Sequence, residues 1–370
     1  MRGGVVCSLP VLAVVAILGL ACQIVPARAP AVDAPPAAAP APPTPRLADE
    51  QAVASFYRGK TVRFIVGFPA GGGFDTYTRA IARHISKYIP GNPTVIVENM
   101  PGAGSLIAAN YVYAATRPDG LTIGNWIGGL ILQQVLGAQG IEFDARRYRF
   151  LGVPVPDNVV CAVRKESGFR SFSDAINSPQ PLILGGSAPG SSTDDPPKVL
   201  AAAIGLNLKL VSGYGGTAPI RQAADAGEIH GGCWAWESIK VTWKAGLEAG
   251  DVIVIGQVTE RKLPDLPNVE SALDLAKTDE ARQLIRSGII VPSRITRPYA
   301  VHPDTPPERL AALRQAFMAV LKDPGLLEDA QKASLDIDPV PGEEVEQLVR
   351  ELFETPEHIK AQLRALLLPS

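Results

Sequence analysis

Chemistry-bearing side chains are scarce in this chain, and each scarcity removes a class of function. The four histidines, His84, His230, His302 and His358, show no HExxH or similar spacing, so no metal motif is assembled from them. Cys161 and Cys233 each stand alone, without the CxxC partner that a zinc site or a dithiol redox centre needs. In an oxidising compartment these two could pair, or both could stay buried free thiols, because the sequence does not give their separation. Charged residues make up only 19% of the chain, the formal net charge is −2, and no long basic run occurs. A nucleic-acid partner needs a concentrated positive footprint, so none is expected.

The fingerprints of nucleotide binding and acyl transfer are incomplete as well. Gly59-Lys60-Thr61 lacks the upstream glycine of a P-loop, since Ala54 stands there, and it precedes a strand instead of following one. Gly71-Gly72-Gly73-Phe74-Asp75 does not supply GxGxxG, and Gly185-Gly186-Ser187-Ala188-Pro189 fails the last position of the GxSxG elbow. Ser105 and Ser187 have no histidine base nearby in sequence. Enzymatic activity is therefore not expected, and no cofactor or metal is implied.

What is present is a large apolar content, 46% of 370 residues, enough for about two domains. The amino terminus carries an address. Arg2 is followed by the apolar run "VVCSLPVLAVVAILGLACQ", too short and Pro-interrupted for a membrane span, which reads as a secretory signal over residues 1–22. Cys22 follows Leu18-Gly19-Leu20-Ala21 in the manner of a lipobox, with Gly19 where leucine is usual, and lipidation there is preferred to cleavage after Ala27-Arg28-Ala29, which Pro30 obstructs. Residues 23–48, mostly "PARAPAVDAPPAAAPAPPTP", form an extended Pro/Ala linker with no core-forming pattern.

Beyond the linker, apolar runs alternate with helical patterns. "TVRFIVGF" is a strand, Asp75 to Tyr88 a helix, "TVIVEN" a strand, "LIAANYVYAAT" a helix and "LTIGNW" a strand, which is βαβαβ. The middle of the chain alternates in the same manner without repeating the sequence. Strands fall at "PLILGG", "LKLVSGY", "EIHGGCW" and "DVIVIGQV", with loops "SAPGSSTDDPP" and "GGTAP", and Thr217 as an N-cap. The fold class is α/β, with two lobes that are each a doubly wound, mainly parallel sheet. Such sheets bind ligands beyond the carboxyl ends of their strands, where glycine loops and helix N-termini offer N–H donors to an anion. Residues 58–155 plus 291–345 make lobe 1, 156–290 make lobe 2, and 346–370 form a helical segment that packs across them. His84 shares a helical stripe with Tyr77, Ile81 and Tyr88 and reads as a satisfied, partly buried histidine, while Arg79, Arg83 and Lys87 read as a solvated basic face.

"FIVGFPAGGGFDTYTRAIA", "VIVENMPGAGSLIAANYV", "RPDGLTIG", "SGYGGTAPI", "AGEIHGG", "LPDLPNV" and "RPYAVHPDTPPERLAALRQAF" follow one another in an order that resembles the periplasmic solute receptors of tripartite tricarboxylate transporters. The resemblance spans nearly the whole mature chain. It implies a two-lobed receptor of the type II periplasmic binding fold that closes on a small organic acid and delivers it to an integral membrane permease; the protein is expected to be a monomer. It carries ligand contacts onto Gly71, Gly72, Gly73 and Asp75 in the first loop, and onto Gly104 and Ser105 in the second. In the other lobe it carries them onto Ser187, Ser191 and Ser192 and onto Gly215, Gly216 and Thr217. Asp75 would repel a carboxylate, so it is expected to organise its loop or to hold a polar group of the ligand.

Family members usually carry a glycine-rich, histidine-containing stretch where this chain has "GGSAPGSSTDDPPKVL", and a plainer strand where it has "CWAWES". Asp194, Asp195, Trp234, Trp236 and Glu237 thus alter the second lobe, and added acids fit a tricarboxylate poorly. The two tryptophans are spaced for one strand face, where they could stack on a ring or pack the core. Two other readings remain: a periplasmic sensory receptor using the same cleft, and a serine hydrolase or acyl-transfer enzyme with a base folded near Ser105 or Ser187.

Overall fold

Short apolar runs bounded by glycine and proline become the strands of two mixed sheets. The computed structural model describes residues 47–368, which belong to one compact unit. The export segment, Cys22 and nearly all of the 23–48 linker lie outside the described residues. The first sheet contains β1 (Thr61–Val66), β2 (Thr94–Asn99), β3 (Thr122–Asn125) and β4 (Arg149–Val153). The second contains β5 (Val159–Arg164), β6 (Leu182–Gly185), β7 (Leu208–Val211), β8 (Gly231–Ala235) and β9 (Val252–Val258). The chain then returns to the first sheet with β10 (Tyr299–Val301) and β11 (Val340–Pro341).

The two sheets have the same plan. The first runs β2-β1-β3-β10-β4, with β11 added at its edge, and the second runs β7-β6-β8-β5-β9. In each, three parallel strands are followed by one antiparallel strand and then by a strand that resumes the common direction. The inserted strand, β10 or β5, is where the chain has crossed from the other lobe. Because it is antiparallel, its amino end meets the carboxyl end of its parallel neighbour: Tyr299 pairs with Asn125, and Val159 pairs with Ala235.

Period-two alternation sends side chains of each sheet to two cores. From β1, Val62 and Phe64 enter an outer core with Leu313 and Phe317 of the helix Pro307–Val320, whereas Ile65 faces inward. From β5, Val160 and Ala162 join an outer core with Trp234 and Trp243, whereas Val159, Cys161 and Val163 face inward. The inward sides of both sheets share one core, completed by the helices Gly342–Glu354 and Glu357–Leu367. Val345, Leu348, Val349 and Leu352 bury one stripe of the first helix, and Ile359, Leu363 and Leu367 one stripe of the second. The break between them falls at Thr355 and Pro356, where the residue before proline leaves the helical region.

Several elements depart from what the sequence predicts. A helix, Leu47–Tyr57, precedes β1 within what reads as linker end and lobe start. The second-lobe helix begins at Asp195, inside the stretch read as loop, because Pro196 and Pro197 occupy a first turn where no backbone donor is needed. Trp234 is on β8 and stacks on Trp243 with centroids 5.5 Å apart, but Trp236 starts the next helix and donates its indole N–H to Asp265, so the two do not share a strand face. The basic face is ion-paired: Arg79 to Asp75, Arg83 to Asp329 and Lys87 to Asp323. His84, partly buried, bonds Asp329 at 2.9 Å. Cys161 and Cys233 are directly opposed on β5 and β8 and form a disulfide.

Candidate functional site

The first glycine loop is built around one acid. Asp75 lies in the first turn of the helix Gly73–Ile85 and is only 2% exposed. Its carboxylate accepts the Gly71 N–H at 2.8 Å, the Arg79 Nε–H at 2.9 Å and an Asn99 Nδ2–H at 2.9 Å. Burial works against the ionised form, but the bonds from Arg79, Gly71 and Asn99 outweigh it and hold the carboxyl below its ordinary range. Of the three glycines only Gly71 has a positive φ, +84°, and a Cβ on Gly71 or Gly73 would meet nothing within 4 Å. The run of glycine is thus required by backbone shape at one position. Gly71, Gly72, Gly73 and Asp75 are not among the residues lining the cavity between the two sheets; Phe68 and Phe74, stacked at 4.3 Å on either side of the loop, are.

The second loop stores strain. Gly102, Ala103, Gly104 and Ser105 all have positive φ, which the two non-glycine residues adopt at a cost of about 1–2 kcal/mol each. Ala103 and Gly104 line the cavity, whereas Ser105 is buried behind it and accepts the Ile127 N–H on its Oγ at 3.0 Å. Gly67 allows this packing, since a Cβ there would come within 2.4 Å of the Ser105 Cβ.

In the second lobe the loop after β6 is a hydroxyl cluster. Ser187 Oγ is bonded to Ser191 Oγ at 2.9 Å and to Thr193 Oγ1 at 2.7 Å, and the Ser187 N–H donates to the same threonine. Ser187, Ser191, Ser192 and Thr193 line the cavity together with Gly215, Gly216 and Thr217. Gly216, at φ +137°, is the residue before the helix Thr217–Asp225, so Thr217 is its first residue and not its cap. Asp195 also lines the cavity; both its oxygens lie 3.0 Å from the Gly190 N–H, and burial pushes its carboxyl up to about 7, with Gly190 and Lys198 opposing and Asp194 adding to the rise. Of the unusual residues of this lobe, Asp194, Trp234, Trp236 and Glu237 do not line the cavity. Asp194 is fully buried against Lys198 and Ser212, and Glu237 holds Asn158.

The cavity, about 440 Å³, lies between the sheets at the carboxyl ends of β1, β3, β6 and β7. The helices Gly129–Leu136, Asp195–Ile204 and Thr217–Asp225 begin on its wall, so partial positive charge and free N–H groups converge there. Among the described residues its single cation is Arg297, which donates from Nη1 to Asp157 Oδ1 at 2.6 Å and lies over Phe74 at 5.4 Å, while its Nε–H is buried with no protein partner. Thr296 Oγ1–H also reaches Asp157, at 3.2 Å, and the Asp157 N–H donates to the Ser293 carbonyl. The pair therefore ties together the two passages of chain between the lobes.

Sequence reasoning missed Asp157 and Arg297. They precede β5 and β10, and only the antiparallel insertion of those strands brings their amino ends to the cavity. The lobes also touch directly: a Cβ on Gly129 would lie 2.2 Å from the Gly190 carbonyl oxygen, and one on Gly190 would lie 2.5 Å from Gln133 Nε2. Among the described residues no group of three or more His, Cys, Asp or Glu is placed to hold a metal ion.

Comparison with known proteins agrees with this geometry. A family model described as "Tripartite tricarboxylate transporter family receptor" matches residues 78–363. A UPF0065 protein from the gbd 5′ region of Cupriavidus necator is 41% identical over 73 residues, 20% of this chain and only 21% of that one. A UPF0065 protein from the tcbD–tcbE intergenic region of Pseudomonas sp. (strain P51) is 24% identical over 247 residues, 65% of this chain and 70% of that one. Among solved structures, a TctC solute binding protein from Polaromonas superposes with TM-score 0.62 at 19% identity, covering 84% of this chain and 98% of that one. The malate-bound MatC of Rhodopseudomonas palustris gives TM-score 0.58 at 20% identity, covering 82% and 99%, and an adipate-bound R. palustris protein gives 0.60 at 21%, covering 83% and 98%. The fold is that of the two-lobed type II periplasmic binding proteins, and the chain belongs to the tripartite tricarboxylate transporter receptor family.

Proposed function

We propose that this protein is an extracytoplasmic receptor that captures a small carboxylic acid between its lobes and passes it to a membrane permease of the tripartite tricarboxylate type. The observation that carries the reading is the cavity itself: its wall combines two sheets' carboxyl edges, three helix N-termini and one arginine with a free donor. That environment favours an anion with an apolar body, given Phe68, Phe74, Ile127 and Leu130 on the same wall. Solved members of the fold with malate and with adipate support the same ligand chemistry. Lobe closure about the crossings at Asp157 and Ser293–Arg297 is the mechanism: a ligand that touches both walls stabilises the closed state by its differential contacts.

The protein acts as a monomer in the periplasm, held to a membrane by a lipid on Cys22, with no cofactor and no catalytic step. Among the described residues no helix is long and apolar enough to cross a membrane. The hydrolase reading is weakened by the serines themselves, since Ser187 is bonded to hydroxyls and Ser105 to a backbone N–H. Titration of the full chain with mono-, di- and tricarboxylates, amino acids and nucleotides, followed by thermal unfolding, tests the reading. An acid at about a hundredfold excess over its Kd is expected to add about 2.7 kcal/mol to stability. A shift with nucleotides alone, or turnover of ester substrates, would overturn it.

A further inference from the structure

Among the described residues three charged side chains line the cavity, and two of them satisfy each other. Asp157 takes the Arg297 guanidinium at 2.6 Å, which leaves Asp195 as a carboxyl with no cation. The first lobe contains a completed version of the same arrangement. There a buried aspartate in the first turn of a helix grips a glycine N–H of the preceding loop, and a cation four residues further along the helix, Arg79, closes the shell with Asn99. In the second lobe Asp195 grips Gly190 in the same way, but the cation of that helix, Lys198, is four residues from Asp194 and is paired with it. Asp195 is left with a single N–H shared between its two oxygens, on the cavity wall.

We propose that the ligand supplies the missing partner: the cavity takes a small carboxylic acid that also carries a protonated amine, with the ammonium on Asp195 and the carboxylate toward Arg297 and the helix N-termini. This rests on the receptor reading above and narrows its ligand class. An ammonium donates up to three hydrogen bonds and draws Asp195 into its ionised form, whereas a second or third ligand carboxylate is accepted there only while Asp195 holds its proton. The raised carboxyl agrees with a buried acid awaiting a cation. The groups that bear on it are Asp194 and Lys198 on its own helix, the Gly190 N–H in the loop, and the Asp157–Arg297 pair on the same cavity wall.

Calorimetric titration of the full chain at pH 7 with matched acids tests this: aspartate against succinate, glutamate against glutarate, and leucine against 4-methylpentanoate. The amine-bearing member of at least one pair is expected to bind about tenfold tighter or more, with net proton release read from the dependence of the heat on buffer. Asp195→Asn is expected to remove that preference while leaving des-amino acids bound as well or better. Equal or tighter binding of the des-amino acids, or net proton uptake, overturns the proposal and leaves the receptor reading standing. Binding of no acid in the set overturns both. Should the variant fail to fold, the wild-type pairs decide alone.

Discussion

Asp75 and Asp195 occupy matching places in two lobes that share a strand order, yet their surroundings pull their carboxyls in opposite directions. Asp75 is fully supplied with donors and stays ionised; its work is to shape a loop. Asp195 has the same grip on its loop and lacks the rest, and it faces the cavity. A structural device completed in one lobe and left open in the other marks where a ligand can act, because an unfinished polar shell is tolerated only where something else finishes it.

The lobes can be told apart most strongly by covalent means, since among the described residues the disulfide belongs to the second sheet alone. It closes a span of 72 residues, so replacing Cys161 and Cys233 by alanine is expected to cost about 4 kcal/mol in a denaturant melt. A next, comparable effect is a pH slope. With its folded value near 7 and an unfolded one near 3.9, Asp195 keeps a proton in the folded state that the unfolded chain has lost. Stability from this group therefore falls as pH rises through that window, by a ceiling of roughly 4 kcal/mol that water in the cavity reduces. Asp195→Asn should flatten the slope between pH 4 and 7 in unliganded protein, and an unchanged slope would erase the distinction between the two acids.

Asp75→Ala, by contrast, is expected to lose about 2 kcal/mol at neutral pH, because it strips the Gly71 N–H, the Asn99 amide and a paired arginine of their shared acceptor. The smallest effects concern the glycine loop beside it. Gly71→Ala should cost about 1 kcal/mol through its positive φ alone, while Gly73→Ala, with an ordinary φ and open space, should be neutral or slightly stabilising by thermal melt.

Much of the architecture is legible from apolar runs punctuated by glycine and proline, and β1, β2, β3, β6, β7, β8 and β9 fall where that pattern predicts. β4 and β5 escape it because Pro154 and Pro156 divide one apolar stretch into two strands that belong to different sheets. Site residues follow the same division. Gly104, the serines of the 187–192 loop and Gly215, Gly216 and Thr217 stand on strand-to-helix loops, which local sequence reveals, and the fold brings them to one cavity. Arg297 precedes a three-residue strand whose direction is set by pairing with β3 and β4, both far away in the sequence, and no local signal reports that.

The meeting of Gly129 with Gly190 bears on kinetics. At that point of the cavity wall the lobes approach to backbone thickness, and neither residue has a side chain that could swing aside. In the receptor proposed above, passage there would require the two main chains to separate, so the lifetime of a captured molecule would be tied to the rate at which the lobes part. In that receptor, bulk introduced at either glycine would act as a doorstop and shorten that lifetime.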